Sequence, residues 1–181
     1  MRSIADRIVR LLASVVIAGC LIEVAFAESG QREAITATVM GEMVQKVGYR
    51  AMIQKQAIMY NLAGYARNDP DGTVGVRLQG DKDRIDKTLE AISAGTKTSS
   101  KANIIGETQT ALDPNLRTFT VFGWTSQSRK ISNPYDLVFD LRPTDDEISA
   151  KQAKAIWDTI AESTLKGEDL SKFMKHLGDD E

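Results

Sequence analysis

Apolar positions along residues 34–124 change period repeatedly, from two to between three and four and back. In "AITATVMGEM", residues 34–43, Ile35, Ala37 and Val39 share one face of an alternating run, which predicts a strand. Over 49–61, Met52, Ile53, Gln56, Ala57 and Tyr60 recur at helical spacing behind the loop residue Gly48. "LAGYARN" and "TVGVRLQG" then flank "DPDG", where Pro presets one backbone angle and Gly accepts a positive one, a hairpin signal. In "DKDRIDKTLEAISAG", Ile85, Leu89 and Ile92 mark a second helix with Asp81 as N-cap and Gly95 as its stop. Two runs rich in Ile, Thr, Val and Phe, 102–112 and 117–124, surround a further turn at "DPN".

The resulting order, β-α-β-β-α-β with one more β, predicts an α+β ferredoxin-like sandwich: an antiparallel sheet with two helices on one face. That topology hosts many unrelated functions, so function has to come from a site. Beyond Trp124 the texture changes. "TSQSRKISNP" reads as a polar linker, and "YDLVFDLRP" as a strand with Leu137, Phe139 and Leu141 on one face. "TDDEISAKQAKAIWDTIAEST" reads as an amphipathic helix, with Thr144 and Glu147 as its capping box and Ile148, Ile156, Trp157 and Ile160 as its apolar stripe. Residues 169–177 predict a last short helix. The expected division is 1–27 as a signal peptide, 33–125 as the ferredoxin-like domain, and 126–181 as a C-terminal extension that packs on the sheet or binds a partner protein.

Composition narrows the function classes. The 23 Lys+Arg against 25 Asp+Glu, a formal charge of −2, with no basic block, argue against a nucleic-acid partner. One Cys and one His exclude a Cys/His zinc cluster and any disulfide within the chain. At the N-terminus, Arg2, Arg7 and Arg10 precede an apolar run over 11–22, and Ala25 and Ala27 offer small residues for cleavage before Glu28. This predicts export to the periplasm or beyond. A rival processing site, Ile17-Ala18-Gly19-Cys20, resembles a lipobox that would lipidate Cys20 and tie the chain to a membrane.

One stretch carries candidate chemistry. "VQKVGYR", residues 44–50, is a loop running into a helix with Arg50 at its start, and Asn68 closes the next strand. A helix N-terminus aims unpaired N–H groups outward and carries partial positive charge, a cradle for phosphate or carboxylate. An Arg there supplies an always-charged planar fork for two oxygens. An amide opposite can hold one water by donor and acceptor together. Tyr49, Met52, Ile53, Met59 and Phe119 are simplest as core residues. Taken alone, Asn68 is ordinary turn chemistry before "DPDG".

"VQKVGYR", the Asn eighteen residues after its Arg in "ARNDPDGTV", and the following "VRLQG" and helix together resemble the acylphosphatase family over roughly residues 34 to 124. The resemblance implies hydrolysis of the carboxyl–phosphate bond of acyl phosphates without metal or other cofactor. It implies that Arg50 and the loop Val44, Gln45, Lys46, Val47, Gly48 and Tyr49 hold the phosphoryl group, and that Asn68 orients the water. The family loop reads Gly-x-Val-Gln-Gly-Val. Here Glu42 and Lys46 replace both glycines, so Lys46 in a left-handed conformation would cost about 1–2 kcal/mol. The alternatives are a non-catalytic anion-binding or protein-interaction module on the same fold, and a phosphatase for another ester.

Overall fold

The computed structural model describes residues 30–96 and 102–177; the signal peptide expected over 1–27 and Cys20 lie outside the described residues. Elements follow in the order β1 (Arg32–Met40), α1 (Tyr49–Tyr60), β2 (Ala63–Asn68), β3 (Val74–Asp81), α2 (Lys82–Ala94), β4 (Asn103–Thr110), β5 (Thr118–Ser126), β6 (Ile131–Asp140), α3 (Ala150–Thr164) and α4 (Gly167–Lys175). The six strands form one sheet in the order β4-β1-β3-β2-β5-β6. Every pairing is antiparallel except β2 with β5. The ferredoxin-like α+β architecture read from the periodicity is thus present, with an added strand and helices.

Local chemistry explains the boundaries. Ile35, Ala37 and Val39 are buried on one face of β1, as their alternation requires. The "DPDG" turn closes through the Asp69 amide to the Thr73 carbonyl at 2.9 Å, with Gly72 at φ 90°. Asp81 caps α2 by accepting from the Asp83 amide at 3.0 Å, and Gly95 stops it at a positive φ of 76°, its amide donating to the Ala91 and Ile92 carbonyls. Gly64 is obligatory for a different reason. A Cβ there would stand 1.9 Å from the Arg77 carbonyl oxygen, inside the ladder to β3.

Three details differ from the sequence reading. Residues 131–134 belong to β6 rather than to a linker, because Ile131 is buried and pairs with Ser126 across a tight turn. The capping box of α3 is Ser149 with Gln152, not Thr144 with Glu147. Glu147 instead pairs with Lys87 at 2.8 Å, and its neighbour Asp145 with Arg84 at 3.0 Å, linking the approach to α3 with α2. The apolar stripe of α3 is centred on Ala153, Trp157 and Ala161, and Ile156 and Ile160 flank it half-buried.

The residues after β5 complete this architecture. α3 packs against α1 and β6, and Trp157 sinks to 1% exposure between Trp124, edge-on at 5.7 Å, and Phe173 of α4 at 6.1 Å. Its indole N–H donates to Gln54 Oε1 at 3.1 Å. Gln54, wholly buried on α1, donates in turn to the carbonyls of Phe119 at 3.2 Å and Leu137 at 2.7 Å. One amide therefore ties α1, β5, β6 and α3 together. On α4, buried Asp169 accepts from Asn133 at 2.8 Å and from the Tyr135 hydroxyl at 2.9 Å.

Candidate anion site at the start of α1

The chain between β1 and α1 turns twice through left-handed backbone, at Lys46 (φ 66°) and Gly48 (φ 74°). Lys46 adopts the positive angle although it is not glycine, so the loop keeps its course by accepting strain of about 1–2 kcal/mol. Val44 is buried and anchors the loop below, whereas Glu42 and Lys46 are exposed. Gln45 fixes the loop laterally. Its amide nitrogen donates to the carbonyls of Asp69 at 2.9 Å and Thr73 at 2.7 Å. The loop is thereby stapled to the turn directly after Asn68.

The α1 N-terminus carries no side-chain cap and no acidic residue in its first turn. Its leading N–H groups and the positive end of the helix dipole therefore lack an internal counterpart. Tyr49, first in the helix, points inward: its hydroxyl donates to the Ile92 carbonyl, and burial pushes its pKa up to about 12. Arg50 follows at 9% exposure. Its guanidinium donates to the Phe122 carbonyl, and no carboxylate pairs with it among the described residues. Burial pushes its pKa below the ordinary value. A guanidinium removed from water without a counter-ion is costly, and an anion beside it would offset that cost.

Asn68 ends β2, as the pattern predicts. Its Oδ1 is buried and has no hydrogen-bond partner among the described residues. The parallel ladder sets Ala66 opposite Val121. Beyond that pair β5 bulges at Gly123, where an added Cβ would stand 3.9 Å from Arg50 Nη1. So the loop through Gln45, Arg50 through β5, and Asn68 through β2 converge on one end of the sheet.

Two contributors escape sequence reasoning. The Phe122 carbonyl orients Arg50, a backbone group invisible to any residue pattern. Gly123, at φ 58°, sits where the β5–β6 register shifts, and its amide donates to Asp136 Oδ1 at 2.8 Å. A glycine inside "VFGW" was the available signal, since a strand-interior Gly marks a bulge or a close approach.

The acylphosphatase family profile matches residues 35–121. The acylphosphatase of Methanocella arvoryzae is 46% identical over 61 residues, 34% of this chain and 69% of that protein. The acylphosphatase of Thermus thermophilus is 36% identical over 88 residues, 49% of this chain and 97% of that protein. Among solved structures, the acylphosphatase of Bacillus subtilis aligns at 27% identity and a TM-score of 0.45, covering 49% of this chain and 96% of its own.

Proposed function

This chain belongs to the acylphosphatase family, and on that premise we propose that it is an exported hydrolase that cleaves acyl phosphates to carboxylate and inorganic phosphate. The observation that carries the reading is the buried Arg50, which has a carbonyl but, among the described residues, no paired carboxylate, at an uncapped helix start.

The chemistry follows from the geometry. The Arg50 fork and the loop N–H groups hold the phosphoryl oxygens and take up charge that spreads over them in a loose transition state. Asn68 cannot serve as a base, because a carboxamide does not accept a proton near neutrality. Its part is to hold water in line with phosphorus. The water oxygen bonds to phosphorus as the bond from phosphorus to the acyl oxygen breaks, with both electrons leaving on the carboxylate. The two water protons depart with the phosphate as H2PO4−. A carboxylate leaves without needing a proton, since its conjugate acid has a pKa of about 4.

Hydrolysis of benzoyl phosphate by the full chain tests this reading. Turnover is expected, with Arg50→Ala and Asn68→Ala each lowering kcat about a hundredfold or more while the chain stays folded. Phosphate binding without turnover would instead mark an anion-binding module. Export rests on the basic and apolar leader ahead of Ala27. The mass of the N-terminal peptide recovered from cells checks it: a start at Glu28 or a lipidated Cys20 is expected, and a retained Met1 would overturn export.

A further inference from the structure

The peptide unit between Phe122 and Gly123 is held from two sides. Its carbonyl accepts from Arg50 Nη1, and its N–H donates to Asp136 Oδ1 at 2.8 Å. A trans peptide is planar, so its N–H and C=O point in opposite directions and turn together. Whatever fixes the N–H of Gly123 therefore aims the carbonyl at Arg50.

The ladder around this unit is interrupted. β5 pairs with β6 at Val121–Leu137 and again at Trp124–Tyr135, which sets two residues, Phe122 and Gly123, against the single Asp136. That arrangement is a bulge, and Gly123 passes through it at φ 58° without a side chain for packing to grip. On the other flank, the pairs between β2 and β5 stop at Ala66–Val121. The orientation of the peptide thus leans on its own two hydrogen bonds.

We propose that Asp136 is a positioning residue for the reaction: through the Phe122–Gly123 peptide it aims Arg50 at the phosphoryl group and brings it a negative charge at one remove. The inference rests on the hydrolase reading above. A carboxylate bonded to Arg50 directly would occupy the fork that phosphoryl oxygens need. One peptide away, it polarises the carbonyl to which Arg50 donates and leaves the other N–H groups of the fork for substrate. Asp136 lies on β6, beyond the stretch 35–121 matched by the family profile, whereas Arg50 and Asn68 lie within it. The extension thereby contributes to the site itself.

Calorimetric binding of inorganic phosphate and hydrolysis of benzoyl phosphate, both on the full chain, test this role. Asp136→Ala is expected to raise the phosphate Kd about tenfold and to lower kcat/KM about tenfold. Asp136→Asn keeps an oxygen acceptor without the charge, so it should stay within about threefold of the wild type on both. Asp140→Ala, which removes another exposed carboxylate from the same face of β6, should change neither. A partly misfolded preparation would lower kcat and leave the phosphate Kd unmoved. That pattern in Asp136→Ala would overturn the role of Asp136, as would wild-type values in Asp136→Ala or an Asp140→Ala that behaves like it. A wild type that binds phosphate without turnover would sink the hydrolase reading alone, since a tenfold weaker phosphate Kd in Asp136→Ala would still uphold the aiming of Arg50. Neither binding nor turnover by the folded wild type would overturn both.

Discussion

Trp157 Nε1 donates to Gln54 Oε1 at 3.1 Å between residues 103 apart in sequence, and both side chains are withdrawn from water. The bond joins α3 to the helix that carries Arg50. Because Gln54 also holds carbonyls of β5 and β6, the position of α1 relative to the Phe122 carbonyl depends on residues beyond the stretch matched by the family profile. Extension and candidate site are mechanically one piece.

Trp157→Phe keeps most of the apolar volume and strands Gln54 Oε1 in the core. A loss of about 1–3 kcal/mol in urea unfolding is expected. Gln54→Met leaves two carbonyls without their donor and should cost a similar amount. The double variant should be less destabilised than the sum, with a coupling of about 1 kcal/mol. Additive effects would show that the bond does not join the two parts.

Lys46 holds φ 66° at a position where the family loop has glycine. Lys46→Gly relieves about 1–2 kcal/mol of left-handed strain but gives freedom to the unfolded chain, so a net gain of about 0.5–1 kcal/mol is expected in the denaturation midpoint. Lys46→Val, branched at Cβ, should lose stability at the same position. A destabilised Lys46→Gly would mean that the lysine side chain contributes more than its strain costs.

Burial raises Tyr49 from its ordinary 10.0 to about 12, and its hydroxyl donates to the Ile92 carbonyl. Folding therefore favours the neutral phenol. That stability is fully present below pH 10, declines as the unfolded chain ionises above it, and is lost as pH rises through the folded value near 12. At about 1.4 kcal/mol per unit, the loss across that window is about 2–3 kcal/mol. Urea midpoints followed from pH 9 to 12 should show it (about two pH units of slope). Tyr49→Phe, less stable at neutral pH by about 1 kcal/mol, should lack this part of the alkaline decline.

The fold was legible where local chemistry and periodicity agreed. The β1 alternation, the "DPDG" turn and the Asp81 cap each encode their element within a few residues. Legibility failed where a polar residue was recruited by a distant partner. Gln54 lies among helical positions that look equivalent to Gln56, yet Gln54 is buried and Gln56 borders a surface groove, because only Gln54 faces Trp157 and the carbonyls of β5 and β6. Likewise Glu147 matches a capping box by spacing, but Lys87 on α2 takes it, and Ser149 starts the helix. The positions of Arg50 and Asn68 followed from the strand–helix order. The Phe122 carbonyl that aims Arg50 did not, since it depends on β5 lying parallel to β2.

Arg50 links site and stability in a way that ligand can report. Its charge is buried beside a carbonyl with no paired carboxylate among the described residues, so the ligand-free protein bears its desolvation. Inorganic phosphate, a product of the proposed reaction, should therefore stabilise the folded state, by about 2.7 kcal/mol at a hundred times its Kd. Arg50→Met removes the buried charge. It should match or exceed the wild type in stability without phosphate and show no phosphate-dependent rise in Tm. Arg50→Lys keeps a charge but loses the planar fork, so a reduced rise is expected, together with a fall in kcat. Thermal unfolding of the three proteins across a phosphate titration separates these outcomes from a structural role. A rise that survives in Arg50→Met would place the phosphate elsewhere.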